Sequence, residues 1–372
     1  MNGEMNFNSF KEMRNIAKKR CCDFYNNFNN AKRRYIWGWG ALGRFVKYEL
    51  EAKGIIVTGV IDKDVSKGLL QPDVLTKDDA VIIASVKCLE IISELKQLKI
   101  ENYAYYEEVA LSNELPVYGD SYKELWKDFD EHFEQYKKIF ERFNDKTSKE
   151  ILLLILSYRN SFDKSLLECA RKLSLESGEQ YFDNKVLEKI KSNTVFFDIG
   201  GEKGTSTYDF YEKIGGVGNK CFFFEPNASN IEFAKNKLHE FKNIYYYNKA
   251  VGEDEGKVGF EIVEGKPGSG SVLEEDGQNI VDIVKLDNFS CADAYVKMDV
   301  EGYELQVVKG MKSFISNYHP ILAICVYHKA NDIWNLTSEI LRFYPKYNLV
   351  LRHYGDFYTE TVMYFLPPEK RL

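Results

Sequence analysis

The segment Val195–Pro226 constrains the fold of this chain more than any other stretch. It reads Val-Phe-Phe-Asp-Ile-Gly-Gly-Glu-Lys-Gly-Thr-Ser, then a helix-length stretch, then Cys-Phe-Phe-Phe-Glu-Pro. One apolar run ends in Asp198, the glycines Gly200, Gly201 and Gly204 follow, and a second apolar run ends in Glu225. Strand, glycine turn, helix, strand and terminal acid make the nucleotide-binding half of an open parallel sheet. Glycines let backbone approach a bulky ligand, and an acid ending the second strand is placed to accept both hydroxyls of a ribose. A pyrophosphate binder would show Gly-x-Gly-x-x-Gly, with backbone amides and the helix dipole aimed at phosphate. Here the turn is Asp-x-Gly-Gly-x-x-Gly, and an acid just before it suits a ligand with an amino group and a positive charge. S-adenosylmethionine is such a ligand.

At 372 residues the chain is long enough for two or three domains. Its net charge of −7 excludes a nucleic-acid binder that works through a broad basic surface. The runs Lys18-Lys19-Arg20 and Lys32-Arg33-Arg34 are short and read as solvated faces of an N-terminal helix. The seven cysteines include no Cys-x-x-Cys, so zinc-site spacing is absent, and their scatter fits a reducing compartment. The N-terminus lacks the apolar core of a signal peptide, and no apolar run approaches the ~20 residues of a membrane span. A cytoplasmic protein is expected.

Four regions follow from the patterning: a helical segment over residues 1–34, a small Rossmann-like α/β unit over 35–117, a helical connector or lid over 118–192, and a second α/β unit over 193–372. Trp126, Phe129, Phe133, Tyr136, Ile139, Phe140 and Phe143 recur at helical spacing in the third region. The candidate strands of the last region are Val195–Ile199, Lys220–Phe224, Ile244–Asn248, Val258–Val263, Tyr295–Met298, Ile321–Val326, Val350–His353 and Val362–Leu366. The first α/β unit has its own fingerprint, Gly38-Trp-Gly40-Ala-Leu-Gly43, with Asp62 further on. A dinucleotide pocket there, with NAD-linked oxidation as its function, competes with a nucleotide-like fold kept for packing or substrate docking. The unit is small for a dinucleotide fold, and Trp39 is bulky between two glycines.

Further motifs surround the central segment. They are Gln180-Tyr-Phe-Asp183, Phe224-Glu-Pro-Asn227, Asn248-Lys-Ala-Val251, Gly268–Val272, Val284-Lys-Leu-Asp287, Val296-Lys-Met-Asp-Val-Glu-Gly-Tyr-Glu304, Leu305–Gly310, Tyr327-His328 and Arg352-His353-Tyr354. Over residues 150–372 the chain resembles the FkbM family of S-adenosylmethionine-dependent methyltransferases. The resemblance implies a class I methyltransferase fold with a seven-stranded mixed sheet and methyl transfer to hydroxyls, commonly of sugars or polyketide-type natural products. The N-terminal unit is similar to a small nucleotide-fold domain carried by some sugar-modifying methyltransferases. Together these imply a carbohydrate acceptor, either a nucleotide-linked sugar or a surface polysaccharide precursor. A small natural product as acceptor, and a nucleotide-sugar binder with a vestigial cofactor fold, are the alternatives.

Roles follow from position. Gly200, Gly201 and Gly204 are expected to line the methionine moiety, with Asp198 accepting from its ammonium directly or through water. Glu225 is expected to take the ribose diol, and Asn248 to Val251, with Ala250 among them, to lie near adenine. A sugar hydroxyl is a poor nucleophile at neutral pH and needs a base or a metal. Asp299 is the first candidate as base or metal ligand, and Glu301 shares its face if the strand continues through both. His328, at the next strand end, is a second candidate base. A divalent metal held by Asp287, Asp299 and His328 stays open, as does a homo-oligomer. His353 reads as structural or substrate-facing, and Gly265–Gly270 as a substrate loop or a linker.

Overall fold

The computed structural model describes residues 5–85, 87–112, 122–214, 219–262, 271–274, 279–356 and 358–368. Two compact units emerge: Met1–Phe133 with Leu153–Cys169, and Glu134–Leu152 with Ala170–Leu372. The helices Tyr122–Arg142 and Lys146–Ser161 each contribute to both, so the segment 118–192 is divided between them. No described helix is long and apolar enough to cross a membrane.

In the first unit, β1 (Arg34–Trp37), β2 (Gly59–Ile61), β3 (Ala80–Ile83) and β4 (Tyr103–Tyr105) form a parallel sheet in the order β2-β1-β3-β4. Every residue of β3, Ala-Val-Ile-Ile, is buried, as expected of a strand covered on both faces. Ile36 and Ile82 face one apolar cluster, and Tyr35, Val81 and Ile83 face the other. The helix Phe7–Asn30 covers the first cluster with Phe24 and Phe28. In the glycine turn, Gly38 has φ +115°, and a Cβ there would collide with the Ala84 carbonyl. Asp62, the acid that a ribose would need, is already engaged by its own neighbourhood. Its Oδ2 accepts from the Trp39 amide at 2.9 Å and pairs with Lys67 at 2.8 Å, and its Oδ1 accepts from the Asp64 amide. These contacts favour the packing reading of this fingerprint.

The second unit runs through β5 (Gly178–Glu179), β6 (Phe182–Asp183), β7 (Val195–Ile199), β8 (Cys221–Phe224), β9 (Ile244–Tyr247), β10 (Ala250–Val251), β11 (Gly256–Ile262), β12 (Ser271–Glu274), β13 (Asn279–Val284), β14 (Ala294–Met298), β15 (Ile321–Cys325), β16 (Asn348–His353) and β17 (Thr361–Leu366). Its main sheet has seven strands in the order β16-β17-β15-β14-β7-β8-β9. All neighbours pair in parallel except β17, which is antiparallel to both β15 and β16. This is the α/β architecture with a seven-stranded mixed sheet that the sequence predicts. One candidate strand lies elsewhere: the segment expected at Val258–Val263 is β11, which joins β10, β12 and β13 in a separate four-stranded sheet. The tract Gly265–Gly270 lies outside the described residues.

Aromatic side chains knit the main sheet. Phe197 stacks on Phe222 across β7 and β8 at 5.0 Å, Phe224 on Tyr247 across β8 and β9 at 4.8 Å, and Phe196 on Phe210 of the following helix at 4.5 Å. Such pairs contribute about 0.5–1.5 kcal/mol each beyond the area they bury. At the far edge, Arg352 is fully buried and bonds both Asp183 and Asp145 at 2.8 Å.

His353 is fully buried beside it, with Nδ1 2.9 Å from the Thr361 hydroxyl, and burial depresses its pKa to about 4. The folded protein therefore holds this ring neutral, while the unfolded chain takes up a proton near pH 6.5. Between those values the unfolded state binds more protons, so stability rises with pH across the window and falls on acidification. Urea unfolding from pH 7 to pH 4 should show that loss, and His353→Gln should flatten the profile. An unchanged slope in the variant would remove His353 as its source.

Candidate active site

Because β8, β7, β14 and β15 are adjacent and parallel, their carboxyl ends gather at one edge of the sheet, where open α/β sheets bind ligands. A cleft of about 300 Å³ lies there. Gly200, at φ +75°, forms its floor, and a Cβ on it would collide with the Asp299 carbonyl, so the turns after β7 and β14 close against each other only with glycine. Gly201 also lines the cleft, backed by the Phe223 ring. Gly204 packs instead against Leu238 and Ala234 and does not face the cleft.

Glu225 ends β8 and lines the cleft although it is almost wholly buried. Its Oε1 accepts from the Asn227 amide at 2.8 Å and its Oε2 from the Glu202 amide at 3.0 Å. Burial raises its pKa, and those two N–H donors counter part of the rise. Asn248 donates to the Glu225 and Pro226 carbonyls, at 3.1 and 2.7 Å, and so ties the strand-end loops together. Ala250 lines a small, mostly apolar recess of about 20 Å³ next to the cleft, with Phe224, Pro226, Lys249, Val251 and Val300.

Asp198 is fully buried and turned away from the cleft. Its Oδ2 accepts from the Ser206 and Thr207 hydroxyls, both at 2.7 Å, and its Oδ1 pairs with Lys297 at 3.1 Å. Lys297, absent from the sequence-derived candidates, stands between Asp198 and the cleft and also donates to the Gly200 carbonyl at 2.6 Å. Burial would lower its pKa, but the charges of Asp198 and then Asp299 raise it above the ordinary lysine value. The buried ammonium therefore stays charged.

Asp299 and Glu301 do not share a strand face. β14 ends at Met298, and Glu301 (φ +52°) and Gly302 (φ +95°) form a left-handed turn. The turn nevertheless brings both carboxylates into the cleft and onto one imidazole: Asp299 Oδ1 and Glu301 Oε2 each lie 3.5 Å from His328 Nε2. On the other side of the ring, His328 Nδ1 faces Glu304 Oε1 at 2.8 Å. Burial would lower the His328 pKa, but Glu304, then Asp299 and Glu301, raise it to about 10. Burial lifts Glu301 to about 7, with His328 opposing the rise. Asp299 accepts from the Tyr181 hydroxyl at 3.0 Å, and the Tyr327 hydroxyl lies 3.5 Å from it.

Asp287 is engaged elsewhere: its Oδ1 accepts from the Phe314 amide at 2.7 Å, and it does not join the group that could hold a metal. Among the described residues that group is Asp299, Glu304 and His328, with donor atoms within 4.8 Å of one another. His353 lies in the core and does not line the cleft. Gln180, Tyr181, Asp209, Tyr327 and Glu360 also line the cleft, and Gln180 hydrogen-bonds Glu360. Only Gln180 and Tyr181, through the Gln-Tyr-Phe-Asp motif, and Tyr327, beside His328, had a sequence signal.

A match to a family model gives the class, a methyltransferase. Residues 198–356 match the family model described as the methyltransferase FkbM domain. A crystal structure of the methyltransferase FkbM from Methylobacillus flagellatus KT matches the fold with TM-score 0.73 at 19% identity, covering 96% of this chain and 99% of that one. NodS, an N-methyltransferase from Bradyrhizobium japonicum WM9 solved with S-adenosyl-l-homocysteine, aligns with TM-score 0.29 at 14% identity over 60% of this chain and all of its own. A SAM-dependent methyltransferase from Aquifex aeolicus aligns with TM-score 0.30 at 13% identity over 55% of this chain and 97% of that one. The last two scores are too low to carry an argument. No curated protein matches the chain.

Proposed function

We propose that the chain transfers a methyl group from S-adenosylmethionine to a sugar hydroxyl, on a nucleotide-linked sugar or a surface polysaccharide precursor. The observation that carries the reading is the charge and shape of the cleft. Among the described residues Glu202, Asp209, Glu225, Asp299, Glu301 and Glu360 line it, with Lys297 as the one lysine or arginine. That balance suits a ligand with a sulfonium and an ammonium. Glu225, which follows β8 and lines the cleft, would take the ribose diol. Tyr327 and Gln180 give the wall an aromatic and an amide group, which favours a sugar over an apolar natural product.

The acceptor oxygen attacks the methyl carbon in line, the carbon–sulfur bond breaks, and S-adenosylhomocysteine leaves. Alignment of an already activated methyl group supplies much of the rate. The hydroxyl proton must leave as the new bond forms, and Asp299 and Glu301, the two cleft carboxylates beside His328 Nε2, would receive it. His328 is held protonated by its three acids and steadies them.

Titration calorimetry with S-adenosylhomocysteine, and separately with NAD, tests the cofactor. Binding of the first alone is expected; binding of NAD alone would transfer the function to the Gly38–Gly43 turn. Glu225→Ala is expected to weaken S-adenosylhomocysteine about tenfold, the loss of one charge-assisted hydrogen bond of roughly 1.5 kcal/mol. Unchanged affinity would sink the ribose assignment. Transfer of labelled methyl groups to nucleotide-sugars, but not to apolar hydroxylated compounds, would support the acceptor class.

A further inference from the structure

A methyl donor of the proposed kind carries one negative charge, its α-carboxylate, beside the positive charges of its sulfonium and ammonium. The cleft has the opposite balance. Six carboxylates line it, and Lys297 is the one lysine or arginine among its described lining residues. Lys249 belongs to the neighbouring recess, in the link from β9 to β10. Among those acids the donor's carboxylate meets only repulsion unless a cation faces it. Several neutral donors of the cleft are already engaged within the protein. The Ser206 hydroxyl donates to Asp198, the Tyr181 hydroxyl to Asp299 and the Gln180 amide to Glu360.

Lys297 retains a donor. An ammonium has three N–H groups. One serves Asp198 Oδ1 at 3.1 Å and one the Gly200 carbonyl at 2.6 Å, and among the described residues these are its two oxygen acceptors. The Tyr181 ring stands further off, its centroid 5.5 Å from Nζ. The side chain is almost wholly buried and still lines the cleft, so it is held in place and reaches a ligand. Burial works against its charge, but Asp198 and then Asp299 preserve it. A buried charge with fewer partners than it can bind gains from a further acceptor.

We infer that the third N–H of Lys297 receives the α-carboxylate of the bound methyl donor, so that the lysine anchors the donor's amino-acid end. The contact rests on the methyl-transfer reading and deepens it. Its placement agrees with that reading, because the methionine moiety is expected along Gly200 and Gly201, and Lys297 is bonded to Gly200 itself. Asp198, expected at the donor's ammonium, is turned inward. The cation standing in front of it recognises the opposite charge of the same amino acid.

The test changes the ligand before it changes the protein. Calorimetry on the full chain compares S-adenosylhomocysteine with its decarboxylated analogue, in which hydrogen replaces the α-carboxylate. The analogue is the more cationic of the two, so an acidic cleft without the lysine contact would bind it as tightly or more tightly. With the contact, the analogue is expected to bind about tenfold more weakly or worse, the loss of a charge-assisted hydrogen bond. In the Lys297→Met, Asp198→Asn double variant that preference should fall below about threefold, because both ligands then meet a neutral pair. A loosened turn weakens both ligands alike, so their ratio reads the contact and not the fold. Equal or tighter binding of the analogue by the parent overturns the inference with no variant needed. A tenfold preference that survives in the double variant also overturns it, since another group then holds the carboxylate. If neither ligand binds the parent, the methyl-donor reading itself falls and the contact falls with it.

Discussion

Asp299→Asn is expected to cut methyl transfer by about 100-fold or more while changing S-adenosylhomocysteine affinity less than about threefold. A hundredfold loss is about 2.7 kcal/mol of transition-state stabilisation. The substitution keeps the shape of the side chain, and an amide oxygen can still accept from Tyr181, so the wall of the cleft is preserved. What it removes is the negative charge beside His328 and the group best placed to receive a proton. Because Asp299 contacts neither Glu225 nor the recess at Ala250, cofactor binding has no reason to follow. Steady-state transfer and calorimetry on one preparation make the comparison. Transfer within threefold of the parent would take Asp299 out of the chemistry. A parallel fall in affinity would instead make it part of the cofactor pocket.

The sequence was most legible where a local rule sufficed. An apolar run bounded by glycines gave β7 and β8, and the acid closing β8 does line the cleft. Legibility failed where the deciding contact lay far along the chain. Lys297 sits inside Tyr-Val-Lys-Met, where a lysine reads as one polar position on a strand. Its meaning comes from register: Lys297 is directly opposite Asp198 across β14 and β7. No spacing in either segment encodes that pairing. The same pairing explains why Asp198, expected at the ligand, is turned inward. Glu304 has no role legible in its own motif, because its partner His328 lies beyond an intervening helix and β15. Glu301 was found for an incomplete reason: a left-handed turn, and not a shared strand face, aims it at His328. The four-stranded sheet was largely missed because β10 and β12 are too short for period-two alternation to register.

Lys297→Met should destabilise the second unit by about 3–5 kcal/mol, the usual consequence of leaving one member of a buried ion pair without its partner. Asp198 keeps its bonds from Ser206 and Thr207 but loses its ion pair with Lys297, at a position with no exposure to water. The Gly200 carbonyl loses its donor at the same time, so the turn under the cleft loosens. The pair can be separated from its parts, because Asp198→Asn in the Lys297→Met background removes the orphaned charge. That double variant is expected to recover most of the loss, as when a buried pair is replaced by neutral groups of similar shape. Urea unfolding of the parent, both single variants and the double variant closes the cycle. If Lys297→Met alone costs less than about 1 kcal/mol, the ion pair is not what holds β14 to β7. If the double variant is as unstable as the single one, the lost bond to Gly200 and the lost side-chain packing account for the effect. With stability restored, affinity for S-adenosylhomocysteine in the double variant then reports how far the lysine serves the ligand as well as the fold.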